Sequence, residues 1–306
     1  MADNIFTYNG RIPTYGGGNY IPYFQTVDGC TTLTYTKTAK TSSSVANNES
    51  IGFSLNGYLY AKGGGTGGIN GTCERYDPVG NSWSSMATGY VGRGSSSFTI
   101  GTMSFVVGGY NTGYLNTLEM YDDISNTWIS KTNCPMNVYR PGAFSDGTYG
   151  YVAGGEVSGS GTTLCYRYDP VANTWTAMTS LPAAVKSYSQ TFVLNGNPYV
   201  IAAGTQKKVY RYNIGANTWT TMNDFPINLG GGTGFVINDL GYVVNGANTV
   251  YNNDLYLYDE SLDSWSVVMS SIADRNSAAG DVVDCKFYMI RGNNATINLK
   301  TCEEIS

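Results

Sequence analysis

The residues best placed to do chemistry recur along the chain. Counting back about twelve residues from the aromatic before each glycine-ended apolar strand gives Asn48, Arg93, Arg140, Lys186, Gly230 and Arg275. Four of these six are basic, although Lys and Arg together make up only 17 of 306 residues. Chance would place about a third of one cation there. Guanidinium pairs bidentately with carboxylates, so such a set suits a carboxylate, an acidic side chain or an anionic sugar. A structural role, with each Arg hydrogen-bonding backbone carbonyls of the next unit, accounts for the same residues.

Other chemistries are excluded or poorly supported. The chain has no histidine, which removes imidazole general bases, Ser-His-Asp and Cys-His pairs and most zinc, copper and haem sites. No cofactor and no metal are called for. The six cysteines (Cys30, Cys73, Cys134, Cys165, Cys285, Cys302) form no CxxC pair, which argues against metal ligation. Gly63–Gly68 spells GxGxxG but opens no helix in a βαβ unit, so it does not cradle phosphate. Arg75, Arg167 and Arg211 each precede a repeat tyrosine. Strand alternation turns them away from it, stems packed and heads in solvent. Asn48, Asn70 and Asn294 head Asn-x-Ser/Thr triplets, and without a secretory signal they are not expected to carry glycans.

A net charge of −5 without a basic run opposes nucleic-acid binding. No stretch approaches the roughly 18 apolar residues of a membrane span, so no membrane association is expected.

The elements that must position these residues repeat. A tyrosine is followed seven residues later by a tryptophan at Tyr76/Trp83, Tyr121/Trp128, Tyr168/Trp175, Tyr212/Trp219 and Tyr258/Trp265, and the tryptophans fall 45, 47, 44 and 46 apart. A fixed period of that size marks a repeat architecture. Each hairpin has an Asn or Asp two residues before the Trp, where a left-handed backbone is tolerated. The second unit predicts four short strands, at about Ser95–Ile100, Met103–Val107, Thr117–Tyr121 and Trp128–Lys131. No segment shows sustained helical periodicity, so the chain is all-β.

Glycine-ended strands number six: Tyr60–Gly64, Phe105–Gly109, Tyr151–Gly155, Tyr199–Gly204, Tyr242–Gly246 and Tyr288–Gly292. Tyr-to-Trp steps number only five. The final KTCEEIS lines up with EMYDDIS at Glu119–Ser125, putting Cys302 in the place of Tyr121. TYTKT at Thr34–Thr38 resembles the Trp strands, with Tyr35 in the Trp position. An N-terminal strand would thus complete the last unit and close a ring, leaving no open sheet edge.

An apolar run ending in Gly-Gly, then Tyr, then Trp resembles the kelch repeat, over about Thr31 to Ser306. The resemblance implies a six-bladed kelch-type β-propeller whose last blade is closed by the N-terminal strand. The blades fall at about 45–89, 90–134, 135–181, 182–226, 227–272 and 273–306 plus 31–38 of a domain spanning 30–306. In such propellers the loop before each first strand opens at a mouth of the central channel. The resemblance therefore implies a ligand- or partner-binding ring at Asn48, Arg93, Arg140, Lys186 and Arg275. Cys30, aligned with Asp123, falls near Cys302, and a latch disulfide between them is expected as an alternative to two unrelated thiols.

Residues 1–29, with Gly16–Gly18 and several aromatics, are expected to form an arm that docks on other structural proteins. Composition then favours a non-enzymatic binding or structural module, most simply a virion protein such as a phage tail or baseplate appendage. It would recognise protein or host surface through a propeller face, with an anionic glycan or acidic peptide at the mouth. The location expected is the virion, or otherwise the cytoplasm. The alternative implied by the resemblance is a sialic-acid mutarotase-like enzyme, with Asp281 or Glu49 as base. The copper radical oxidase branch of kelch relatives needs histidine ligands and is closed, and an adaptor would need a further domain.

Overall fold

The computed structural model describes residues 34–65, 68–186, 190–202, 206–247, 250–270, 272 and 274–306. The proposed arm, Cys30 and the start of the closing segment lie outside these residues. Among the described residues the secondary structure is all-β, in six four-stranded antiparallel sheets and two small ribbons.

The first blade runs Ile51–Leu55, Tyr58–Lys62, Cys73–Asp77 and Ser82–Met86 from the axis outward. Its first turn is Asn56-Gly57, both at positive φ, the pairing that twists with the strands it joins. Four further blades repeat this order. The inner strands Ile51–Leu55, Ser96–Ile100, Gly142–Ser145, Gln190–Leu194, Thr233–Ile237 and Ala279–Val283 touch in sequence, and the last returns to the first. The array is therefore a closed six-bladed β-propeller.

Aromatic rings fill the wedges. On five inner strands a phenylalanine stacks on the facing aromatic of the second strand: Phe53 on Tyr60, Phe98 on Phe105, Phe144 on Tyr151, Phe192 on Tyr199 and Phe235 on Tyr242, at 4.9–5.2 Å. Each ring also reaches the neighbouring blade, as Phe98 does Tyr168 at 6.4 Å. Burial of a side chain of this size contributes about 1.5–3 kcal/mol.

In the sixth blade Asp281 faces Tyr288 in place of the phenylalanine. Its carboxylate accepts the Ser54 N–H of the first blade at 2.7 Å. Burial pushes its pKa upward despite that bond.

The repeat Tyr, Trp and Asn form a fastener between blades. Asn126 sits at φ 50°. Its Oδ1 accepts the Tyr121 hydroxyl at 2.8 Å and the Ala87 N–H of the preceding linker at 2.8 Å. Trp128 Nε1 donates to the Ala87 carbonyl at 2.8 Å. The same arrangement holds at Asn81/Trp83, Asn173/Trp175 and Asn217/Trp219. These residues are structural, as their spacing suggested. So are Arg75 and Arg167, which lie over Tyr58 and Tyr149 at 4.4 and 4.3 Å.

The ring is closed by an N-terminal strand, in a register different from the one expected. Lys37–Lys40 pairs antiparallel with Cys302–Ile305, Lys37 opposite Ile305 and Lys40 opposite Cys302. The expected closing strand, Thr34–Thr38, overlaps it only at Lys37 and Thr38. Tyr35 precedes the strand and packs edge-on against Tyr242 at 6.4 Å. Tyr288 faces Glu304 as Tyr60 faces Arg75, so Ile305, not Cys302, occupies the place of the repeat tyrosine. Burial decides this: Ile305 is the apolar residue that must face inward, and Cys302 falls where Cys73 and Cys165 stand in their blades.

The expected bridge from Cys30 to Cys302 is corrected accordingly. Cys302 is a free buried thiol, its pKa pushed up to about 12 by desolvation. Cys285, at the tip of the first turn of the sixth blade, is disulfide-bonded.

Candidate binding site at the channel mouth

Among the described residues, one residue from each of five blades forms a collar at one end of the channel. Glu49, Gly94, Arg140, Gly231 and Ser277 all have φ between 53° and 71°. Gly94 N–H donates to the Glu49 carbonyl at 3.0 Å, Arg140 N–H to Gly94 at 2.7 Å, Ser277 N–H to Gly231 at 2.8 Å and Glu49 N–H to Ser277 at 3.0 Å. Among the described residues these backbone bonds join the fifth, sixth, first, second and third blades in turn and fix the loops that precede their inner strands.

The collar also defines which positions are equivalent. Asn48, Arg93, Tyr139, Gly230 and Asn276 each form the same bridge, to Gly65, Tyr110, Glu156, Ala247 and Asn293. All five stand twelve residues before their aromatic. Among the six expected ring positions, Arg140 comes one residue late by this count, and Lys186 and Arg275 one residue early. Arg140 stands in the left-handed collar and Arg275 one residue before the bridge, so the four cations do not occupy one equivalent position.

Arg275 leaves the mouth altogether. It is fully buried, and its guanidinium donates to the carbonyls of Arg291 and Thr301 at 2.7 and 3.2 Å and to Thr301 Oγ1 at 2.6 Å. Glu303 lies 3.3 Å away. This is the carbonyl-holding role. Lys186 is exposed at the rim, its Nζ 4.0 Å from Glu156.

Arg93 and Arg140 do meet, on a carboxylate from the first blade. Glu49 pairs with Arg140, lies 3.7 Å from Arg93 Nε and accepts the Tyr139 hydroxyl at 2.6 Å. Arg140 lies 4.2 Å over the Tyr139 ring. Tyr110, Tyr114 and Tyr139 pack ring against ring, edge-on or tilted, at 5.7–6.2 Å. Tyr114 donates to Glu156 at 2.6 Å, tying the ribbon Tyr110–Tyr114 to the ribbon Glu156–Gly161. The result is a wall of tyrosine and paired charge across the first four blades. Beside it a cavity of about 320 Å³ is lined by Asn48, Gly65, Gly68, Ile69, Arg93 and Asn298. Of the residues expected at the mouth, Asn48 and Arg93 line this cavity.

Sequence reasoning missed Tyr139, Asn298 and the arginine that locks the seam. Arg291 occupies the position of Gly63, Gly108 and Gly154, and its fully buried guanidinium crosses into the first blade to meet Glu74 at 2.6 Å. Burial raises the Glu74 carboxyl, but bonds from Ser43, Ser44 and Arg291 outweigh it and hold the group below the usual carboxylate range. The signal was a cation spelled where the first three blades keep glycine. Among the described residues no cluster of acidic or thiol ligands is arranged to hold a metal.

The Kelch motif family model matches residues 53–89 and 93–135, the first two blades. No curated protein matches the chain in sequence. Among solved structures, that of YjhT resembles it with a TM-score of 0.75 at 14% identity, covering 85% of this chain and 95% of that one. At that identity the likeness concerns the fold. Six closed sheets, a repeated Gly-Gly, Tyr, Trp pattern and two matched motifs identify the chain as a kelch-repeat β-propeller.

Proposed function

We propose that this propeller is a non-enzymatic recognition module of a virion, a phage tail or baseplate appendage that engages host surface or a neighbouring protein through the mouth face. The kelch propeller is at the coarse level a binding or structural scaffold, and its loops carry the tyrosine and asparagine mix of adaptable recognition surfaces. The observation that carries the reading is the pairing at the mouth. Glu49 is engaged by Arg93, Arg140 and Tyr139, and Glu156 by Tyr114 and Lys186. That arrangement stiffens a contact surface and leaves these carboxylates committed to fixed partners. The virion assignment rests on composition: a glycine- and tyrosine-rich start and a charged fraction of 13%.

Mass spectrometry of purified particles from a lysate of the source culture tests it. The chain should appear as a stoichiometric particle component, and antibody against it should block adsorption. Its absence from particles would overturn the virion assignment.

The enzymatic alternative, a mutarotase-like activity on an anionic sugar, draws on the same mouth, where Glu49 and the arginines meet. Asp281, the other carboxylate considered as a base, serves the seam between the last and first blades instead. Accelerated anomer exchange of N-acetylneuraminate, followed by NMR, would favour that reading over the first.

A further inference from the structure

Resting on the recognition reading above, we propose that the mouth cavity takes a residue of an uncharged glycan, read by amide and guanidinium hydrogen bonds and an apolar wall. Its volume, about 320 Å³, lies at the small end of the roughly 300–1,000 Å³ range of small-molecule pockets. That suits a sugar unit better than a peptide segment.

The lining is matched to hydroxyl groups. Asn48 from the first blade and Asn298 from the sixth both line the cavity. Each amide carries both donors and an acceptor, as each sugar hydroxyl is both. Arg93 adds a fork of donors from the second blade. Ile69 gives the cavity an apolar patch, and Arg93 lies 5.4 Å from the Tyr110 ring. The tyrosine wall thus adjoins the cavity, where the C–H face of a pyranose would lie.

Charge selects against an anion. Arg93 is the one cation that lines the cavity among the four expected at the mouth. Glu49 stands 3.7 Å from its Nε and also holds Arg140. A ligand carboxylate would have to compete with Glu49 for the arginines while sitting beside its like charge, whereas an uncharged hydroxyl meets no such repulsion. Lys186 is drawn toward Glu156 at the far side of the wall. The pairing that spans the blades therefore removes most of the field that four cations would have produced.

Saturation-transfer NMR and calorimetry on the full chain, with maltotriose, N-acetylchitotriose and cellotriose as neutral probes and N-acetylneuraminate and digalacturonate as anionic ones, test this. We expect saturable binding of at least one neutral probe, unchanged between about 50 and 500 mM salt, since no ion pair is formed. Asn298→Ala and Asn48→Ala should each weaken it about tenfold or more. Lys186→Ala should leave it unchanged, and thermal unfolding should confirm that the variants are folded. If Asn298→Ala does not fold, Asn298→Asp keeps the shape and should show the same loss.

Binding of anionic probes alone, weakened by salt, would overturn the ligand class while leaving recognition at the mouth intact. If none of these probes binds and particle adsorption is unaffected by Asn298→Ala, the glycan site is overturned. Absence of the chain from particles would count against the virion reading only.

Discussion

Replacing Arg291 by methionine should destabilise the protein by about 3–5 kcal/mol. The guanidinium is fully buried at the seam where the sixth blade meets the first. It donates to Glu74 at 2.6 Å, to Ser43 and Ser50 hydroxyls at 3.2 and 3.3 Å and to the Gly63 carbonyl at 3.3 Å. Methionine fills a similar space but leaves Glu74 charged, buried and without its cation. Removing both members is different, because no orphan charge then remains. The Arg291→Met, Glu74→Leu double variant should recover at least half of the loss.

The pair also predicts a pH dependence. Glu74 titrates in the folded protein below its unfolded value. Its contribution is therefore present above the unfolded value, near pH 4.5, and is lost as pH falls through the folded one. Arg291→Met should narrow its difference from the parent as pH falls in that window. Guanidinium unfolding followed by tryptophan fluorescence reads the parent and both variants. A single variant within about 1 kcal/mol of the parent at neutral pH would contradict the seam lock.

Gly150→Val should cost about 3 kcal/mol, the upper end for overpacking. A Cβ built on Gly150 lands on the ring of Phe98, which belongs to the preceding blade. That ring has little room to retreat, since it is stacked on Phe105 at 5.1 Å and faces Tyr168 at 6.4 Å. Gly241 meets Phe192 in the same way, at 2.7 Å. Gly113 on the ribbon has open space around its missing Cβ, and Gly113→Ala should stay within about 0.5 kcal/mol. Thermal and chemical unfolding of the pair separates a wedge clash from a general intolerance of glycine substitution. Equal, small effects would mean that the blades do not pack as described.

What the sequence made legible was local chemistry. Asn81, Asn126, Asn173, Asn217 and Asp263 were readable as left-handed turn residues because a short polar side chain at a fixed offset has one simple use, and all five have positive φ. The same logic exposed the six units and the need for a strand from the front of the chain. Register was less legible. Matching KTCEEIS to EMYDDIS followed the acidic letters, whereas the sheet obeys alternation and burial, which put Ile305 inward.

The mouth was half legible for a related reason. Counting with one residue of slack gathered Arg93, Arg140, Lys186 and Arg275 into one set, yet a single residue separates the bridge position from the collar position beside it. Nor does any single repeat show that Glu49 from the first blade will meet arginines from the second and third. That contact exists only because the ring brings three loops to one collar. Arg291 and Asp281 are seam residues of the same kind: each departs from its repeat where the last blade must join the first.

The account depends most on how that ring is closed. Lys40→Cys places a thiol directly opposite the native Cys302, within the spacing that a cross-strand disulfide needs. After mild oxidation, mass spectrometry of non-reduced peptides should find position 40 linked to Cys302, while Tyr35→Cys gives no such link. A link from position 35 to Cys302, or none from position 40 in folded protein, would contradict the closure described here.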